Sequence, residues 1–175
     1  PNSGGFRWNV STGGTGSSGT GPSAASNGSN YLYLETSSGT AGASATVTGP
    51  NMTSGYSSLS ISFDYHMYGA TMGNLYLESN DGTGWVTFDS IVGQQQTSNA
   101  AAWLNRSSLL TTPAGVFSIR FRGTRGTSYT GDMAIDNIVI VSGAFCPTPT
   151  TLSASNIGMT SFDLAWSSSS SSSLS

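Results

Sequence analysis

Lysine is absent from this 175-residue sequence, and cysteine and histidine each occur once, as Cys146 and His66. A single cysteine cannot close an internal disulfide, so stability has to come from packing or from a bound ion. Cys146 also has no basic neighbour to depress its pKa, which argues against a nucleophilic role. A single histidine excludes any metal site built on two imidazoles, and a Ser-His-Asp arrangement would have to use His66. Charge is scarce too: 7% of residues are charged, against roughly 25% in soluble proteins generally. The net charge is −3, and the five basic residues are Arg7, Arg106, Arg120, Arg122 and Arg125. Neutralising phosphates needs Lys and Arg gathered on one face, so the balance argues against nucleic acid, with Arg120, Arg122 and Arg125 the one local group. No apolar run reaches the roughly 20 residues of a membrane helix. No signal peptide opens the chain, and Pro1 reads as the start of a mature or excised fragment.

Gly, Ser, Thr and Asn fill the place left by charge, giving a surface solvated by neutral hydroxyls and amides, as suits an extracellular β-rich protein. No stretch keeps helical periodicity, whereas short alternating segments recur between turn residues. From Leu59 to Met67, Leu59, Ile61, Phe63, Tyr65 and Met67 share one face while Ser60, Ser62, Asp64 and His66 share the other. Tyr31–Glu35, Ala45–Thr48, Leu75–Glu78, Trp85–Phe88 and Phe117–Arg122 read the same way. Such strands without intervening helices imply two antiparallel sheets packed face to face. The Gly/Ser-rich opening, Asn2–Asn30, carries Phe6 and Trp8, aromatics that a disordered linker rarely has, and is expected to be an ordered loop over the sandwich.

Several motifs stand in a recognisable order. Gly19-Thr20-Gly21-Pro22 precedes Tyr31-Leu32-Tyr33-Leu34-Glu35; Tyr65-His66-Met67-Tyr68-Gly69 follows, then Asn74–Glu78, Trp85, Trp103 after Gln-rich sequence, and the closing segment Phe121–Ile140, FRGTRGTSYTGDMAIDNIVI. Over about Phe6–Val141 this order resembles MAM domains, the extracellular modules of meprins, neuropilins and receptor tyrosine phosphatases. The resemblance implies an all-β jelly-roll β-sandwich of two antiparallel sheets. Animal members carry paired cysteines that are missing here, which points to a bacterial, disulfide-free type, as in secreted or surface multidomain proteins of flavobacteria and relatives. From Cys146 the sequence CPTPTTLSASNIGMTSFDLAW resembles the first strands of a fibronectin type III domain, an immunoglobulin-like fold left incomplete here, with Phe162, Leu164 and Trp166 on its core face. The expected organisation is a MAM-like domain over 1–143, the start of a fibronectin type III domain over 144–166, and a serine-rich tail over 167–175.

The final strand poses a chemical question. Strict alternation puts Ala134, Asp136, Ile138 and Ile140 on one face and Ile135, Asn137, Val139 and Val141 on the other, both largely apolar, so Asp136 is expected to be poorly hydrated. A buried carboxylate is costly unless paired or bound to a cation. The MAM resemblance implies one structural calcium ion with Asp136 as a ligand, and backbone oxygens of the Gly16–Asn30 loop would complete its six to eight oxygens. The alternative is that backbone amides or an arginine satisfy Asp136. Asp132, at the Gly131 turn, reads as a solvated turn residue.

Catalysis finds little support. His66 is expected to make a structural hydrogen bond, and nothing in the spacing of Glu35, Asp64, Glu78, Asp81 and Asp89 marks a glycosidase pair. Binding remains. Trp8, Tyr56, Tyr68, Trp85, Trp103 and Tyr129 could stack on sugar rings or fill core space; Arg120, Arg122 and Arg125 could meet a sulfated or uronic glycan or simply keep a strand face soluble. Trp8, Tyr68, Arg120, Arg122 and Arg125 are the expected ligand-binding residues. The sequence thus reads as a non-catalytic, secreted or cell-surface adhesion module whose partner is an extracellular protein or polysaccharide. The alternative is a carbohydrate-binding accessory module of a secreted glycoside hydrolase or metalloprotease.

Overall fold

Alternation of apolar and hydroxyl side chains sets the frame of the computed structural model, which describes residues 6–142, 151–155 and 163–167. The chain divides into two units, Pro1–Gly143 and Ala144–Ser175. Ten strands build the first: β1 Trp8–Ser11, β2 Tyr31–Leu34, β3 Ser44–Thr48, β4 Met52–Thr53, β5 Ser58–Met67, β6 Asn74–Asn80, β7 Trp85–Val92, β8 Leu104–Thr111, β9 Val116–Thr124 and β10 Met133–Ser142. One antiparallel sheet runs β1-β2-β10-β5-β8; the other runs β3-β9-β6-β7, with β4 also on β9. In the second unit, β11 Thr151–Ser155 pairs with β12 Asp163–Ser167, setting Leu152 opposite Trp166. Cys146 and Phe162 lie outside the described residues.

The predicted inner face of β5 is fully realised, since Leu59, Ile61, Phe63, Tyr65 and Met67 are all buried. They meet Leu75, Leu77, Phe117, Ile119 and Phe121 of the opposite sheet in one core, with the Phe63 and Phe121 rings edge to face at 5.0 Å. Each such side chain contributes roughly 1.5–3 kcal/mol by leaving water. A Cβ at Gly123 would stand 2.4 Å from Leu34 Cδ2 and 2.9 Å from Met133 Sδ, so any larger residue there has to displace both side-chain ends.

Alternation fails in β10. Its register against β5 slips between Asp136, opposite Asp64, and Val139, opposite Ser62. One extra residue on β10 makes a β-bulge, with Asn137 at φ 49°, the left-handed region that Asn tolerates better than most residues. Ile135 and Ile140, placed on opposite faces by strict alternation, therefore pair with Tyr65 and Ile61 on the same inner side of β5. Three strands went unread in the sequence. β1 lies inside the Gly/Ser-rich opening, and β4 is only the pair Met52–Thr53, too short to show a period. In β8 the polar run Asn105, Arg106, Ser107 and Ser108 interrupts the leucines, so too little alternation is left to register.

Candidate functional site

The outer face of β6 and β9 carries a row of charged side chains, with Arg120 and Arg122 partly exposed over a buried Glu78. Because β6 and β9 are antiparallel neighbours, Tyr76 lies opposite Arg122 and Glu78 opposite Arg120. Glu78 Oε2 accepts from Arg120 Nε at 2.6 Å and Oε1 accepts from Arg122 Nε at 2.8 Å, with Arg122 Nη2 also 2.8 Å from Oε1 in the ion pair. The Thr87 hydroxyl donates to Oε1 at 3.1 Å. Aromatic rings cap both ends of the row: the Arg120 guanidinium lies 3.9 Å from the Trp85 ring centroid and that of Arg122 lies 4.0 Å from Tyr76. Burial alone would raise the Glu78 carboxyl, but Arg122 and Arg120 outweigh it and hold it below its ordinary range. The result is a rigid sequence of Trp85, Arg120, Glu78, Arg122 and Tyr76 across three strands.

Arg125, expected beside Arg120 and Arg122, is not part of this row. It lies beyond the end of β9, where its Nε donates to Thr36 O at 2.8 Å and its Nη1 to Gly126 O at 3.3 Å. Trp8 is half-buried against the core and donates its indole N–H to Ala45 O at 3.1 Å. Tyr68 serves the fold through its carbonyl, which accepts from the Gly21 amide at 2.9 Å and the Thr20 hydroxyl at 3.0 Å. Trp103 pins the opening loop, donating to Ala24 O at 3.0 Å and packing on Tyr31. Glu78, which gathers the two arginines, was missed as a site residue; its only sequence signal is its even spacing with Tyr76 on a strand.

The two carboxylates of the closing segment exchange the environments expected of them. Asp136 sits at the bulge and is half-exposed. Its Oδ2 accepts from the Ser26 and Asn27 amides, both at 2.9 Å, and its Oδ1 from the Asn137 amide at 2.8 Å. At Asp136, then, the opening loop presents N–H groups. Asp132 is fully buried instead of solvated. Its Oδ1 accepts from the Thr36 amide at 2.9 Å. The Thr36 hydroxyl stands 2.9 Å from that oxygen and 2.7 Å from Tyr129 O, one proton between two acceptors. Asp132 Oδ2 meets no donor at bonding geometry; the nearby Thr15 hydroxyl is directed at Thr20 O, 3.1 Å away. Burial pushes the Asp132 carboxyl above its usual range, and the Glu35 charge pushes the same way against the Thr36 amide. Among the described residues no three His, Cys, Asp or Glu side chains converge as a metal site, so a cation here would need backbone and hydroxyl oxygens beside Asp132.

His66 departs from the expected hydrogen bond. It is fully buried under the 94–103 segment, its ring 5.6 Å from that of Trp103, and neither nitrogen has a partner of good geometry. Burial lowers its pKa from 6.5 to about 4, against a weak upward pull from the Ala101 and Ser98 backbone.

Comparison with known proteins gives a consistent family. The model of the MAM domain, meprin/A5/mu, matches residues 1–147. MAM domain-containing glycosylphosphatidylinositol anchor protein 1 of Rattus norvegicus is 32% identical over 121 residues, and the Gallus gallus protein 34% identical over 120. Each alignment covers 67% of this chain, which spans only 12% of the length of those relatives. Among solved structures, TmCBM61 in complex with β-1,4-galactotriose aligns at TM-score 0.47 and 14% identity, covering 77% of this chain and 88% of that one. Family 16 Carbohydrate Binding Module-2 aligns at TM-score 0.41 and 13% identity, covering 71% and 87%.

Proposed function

The chain belongs to the MAM domain family, and on that premise we propose that it is a non-catalytic adhesion or attachment module of a larger extracellular protein. The observation that carries this reading is the solvent-facing row from Trp85 to Tyr76, whose arginines are held by Glu78 before any partner arrives. Groups fixed in advance lose little freedom on binding, so more of the contact energy appears as affinity. The scarcity of charge and the relatives' membrane-anchor name support an extracellular setting. The missing cysteine pairs support the bacterial type, and the sequence over 144–166 supports the beginning of a fibronectin type III domain.

A structural calcium ion belongs to the same proposal. The orphaned Asp132 Oδ2 favours Asp132 over Asp136, whose oxygens already receive three backbone amides. The Thr36 hydroxyl oxygen lies beside Asp132, and the charge of Glu35 is close enough to raise the Asp132 carboxyl pKa. When bound, the ion would neutralise the buried charge and tie the opening loop to the β10 entry.

Immobilised chain should be retained on extracellular matrices or cell surfaces without altering them. Absence of retention on every surface, or turnover of a surface polymer by the chain, would contradict the proposal.

A further inference from the structure

We propose that the outer face of β9, β6 and β7 binds an acidic, uronate-bearing polysaccharide, with Arg120 and Arg122 meeting its carboxylates and Trp85 and Tyr76 stacking on its rings. This rests on the reading of the chain as an attachment module and gives that module a site and a ligand class.

Charge supplies the first reason. Two guanidinium groups against one carboxylate leave a local excess of one positive charge in a chain whose net charge is −3. Glu78 is fully engaged by Arg120, Arg122 and Thr87. The terminal nitrogens of Arg120 and Nη1 of Arg122 make no hydrogen bond to a described residue. Guanidinium forks pair with carboxylates in a plane, and these stay partly open, the two side chains being 19% and 24% exposed. Outward neighbours in the register, Thr46 and Thr48 on β3, Ser118 on β9 and Thr87 on β7, add hydroxyls and no opposing charge. Asp81, in the β6–β7 hairpin, is turned to the Thr83 amide and hydroxyl.

Shape supplies the second. Trp85 lies opposite Asn80, four residues along β6 from Tyr76, so the backbone positions that carry the two rings are offset by roughly 13 Å at about 3.3 Å per residue. A chain of linked rings spans that offset. A peptide binding as an added strand needs an open sheet edge, whereas Arg120, Arg122, Glu78 and Tyr76 stand on β9 and β6, interior strands paired on both sides, and only Trp85 stands on the edge strand β7. Flat saccharide rings stack on aromatic faces without backbone pairing; each ring here has one face against a guanidinium, so stacking uses the other.

Titration calorimetry of the whole chain with polygalacturonate, alginate and chondroitin sulfate tests the site, with methyl-esterified polygalacturonate and poly-L-glutamate as controls. At least one acidic polysaccharide should bind at least about tenfold more tightly than either control, roughly 1.4 kcal/mol or more, and more weakly as salt rises. Trp85→Ala should weaken binding by at least about tenfold. So should Thr48→Glu, which adds a negative charge at an exposed position opposite Arg120 where it competes for the open guanidinium nitrogens while Glu78 stays in place; its thermal midpoint, close to wild type, separates lost binding from lost folding. Equal binding of the esterified polymer or of polyglutamate, unaltered binding by Thr48→Glu, or no binding to any acidic polysaccharide overturns the proposal. If acidic polysaccharides fail while the chain is still retained on surfaces, the site assignment falls and the attachment reading stands; if retention fails as well, both fall.

Discussion

Glu78, Asp132 and His66 show how little a residue's type says about its role until its neighbours are known. Glu78 holds two arginines at once, so Glu78→Ala should leave two guanidinium groups facing each other on a half-covered strand surface. We expect a loss of about 2–3 kcal/mol, below that of a deeply buried pair because both arginines keep some solvent contact; urea midpoints measure it, and a loss under about 0.5 kcal/mol would mean that the row is not a structural unit. His66 predicts a pH dependence. Its folded pKa of about 4 lies below its unfolded 6.5, so the unfolded chain takes the proton first. Its contribution is complete above pH 6.5 and is lost as pH falls toward 4, by on the order of 3 kcal/mol. His66→Phe should flatten the stability profile across that window, and a profile as steep as wild type would show that other groups dominate. Neither role was legible in the sequence. Glu78 meets its arginines 42 and 44 residues away, and His66 is covered by a downstream segment that carries Trp103. Arg120 and Arg122 were legible as a pair because they alternate on one strand, and Arg125 was misgrouped because the strand ends at Thr124.

Elements were more readable, since a strand buried on one face writes its pattern locally. β5, β6 and β9 alternate cleanly and were placed from sequence to within a few residues. β10 was placed, but its two faces were not, because a bulge of one residue inverts every later assignment. At the end of β5 the ladder is continued by a side chain. Buried Gln96 accepts from the Met67 amide at 2.6 Å and donates to Tyr65 O at 3.0 Å, beyond the last β8 pairing at Leu104. Periodicity carries no trace of such a substitution. Gln96→Ala would leave both backbone groups buried without partners, and we expect a cost of about 2–4 kcal/mol. Hydrogen exchange should show faster exchange of the Met67 amide in that variant, whereas unchanged protection would remove Gln96 from the ladder.

For the molecule as a whole, the opening segment and the β10 entry are joined through Thr20, Thr36 and Asp132, the Asp132 amide donating to the Thr20 hydroxyl at 2.7 Å. This junction encloses the raised Asp132 carboxyl, whose contribution to stability is complete below its unfolded pKa and is lost, as the penalty of ionising in place, while pH rises through its higher folded pKa. Calcium should reverse that penalty and raise the thermal midpoint, by the equivalent of about 2.7 kcal/mol at a hundredfold excess over Kd. Asp132→Asn should abolish the rise and, in chelator, leave the midpoint equal to or above wild type; a rise that survives this substitution but is lost in Asp136→Ala would return the ion to Asp136. The β9–β6 sheet face is the proposed recognition surface. Its most direct test is the perturbation of amide, arginine Nε–H and tryptophan indole resonances on adding an acidic polysaccharide to the labelled chain. Shifts should be confined to Trp85, Arg120, Arg122 and their strand neighbours; shifts centred on Trp8, Tyr68 or Arg125, with the β9–β6 face silent, would rule this surface out.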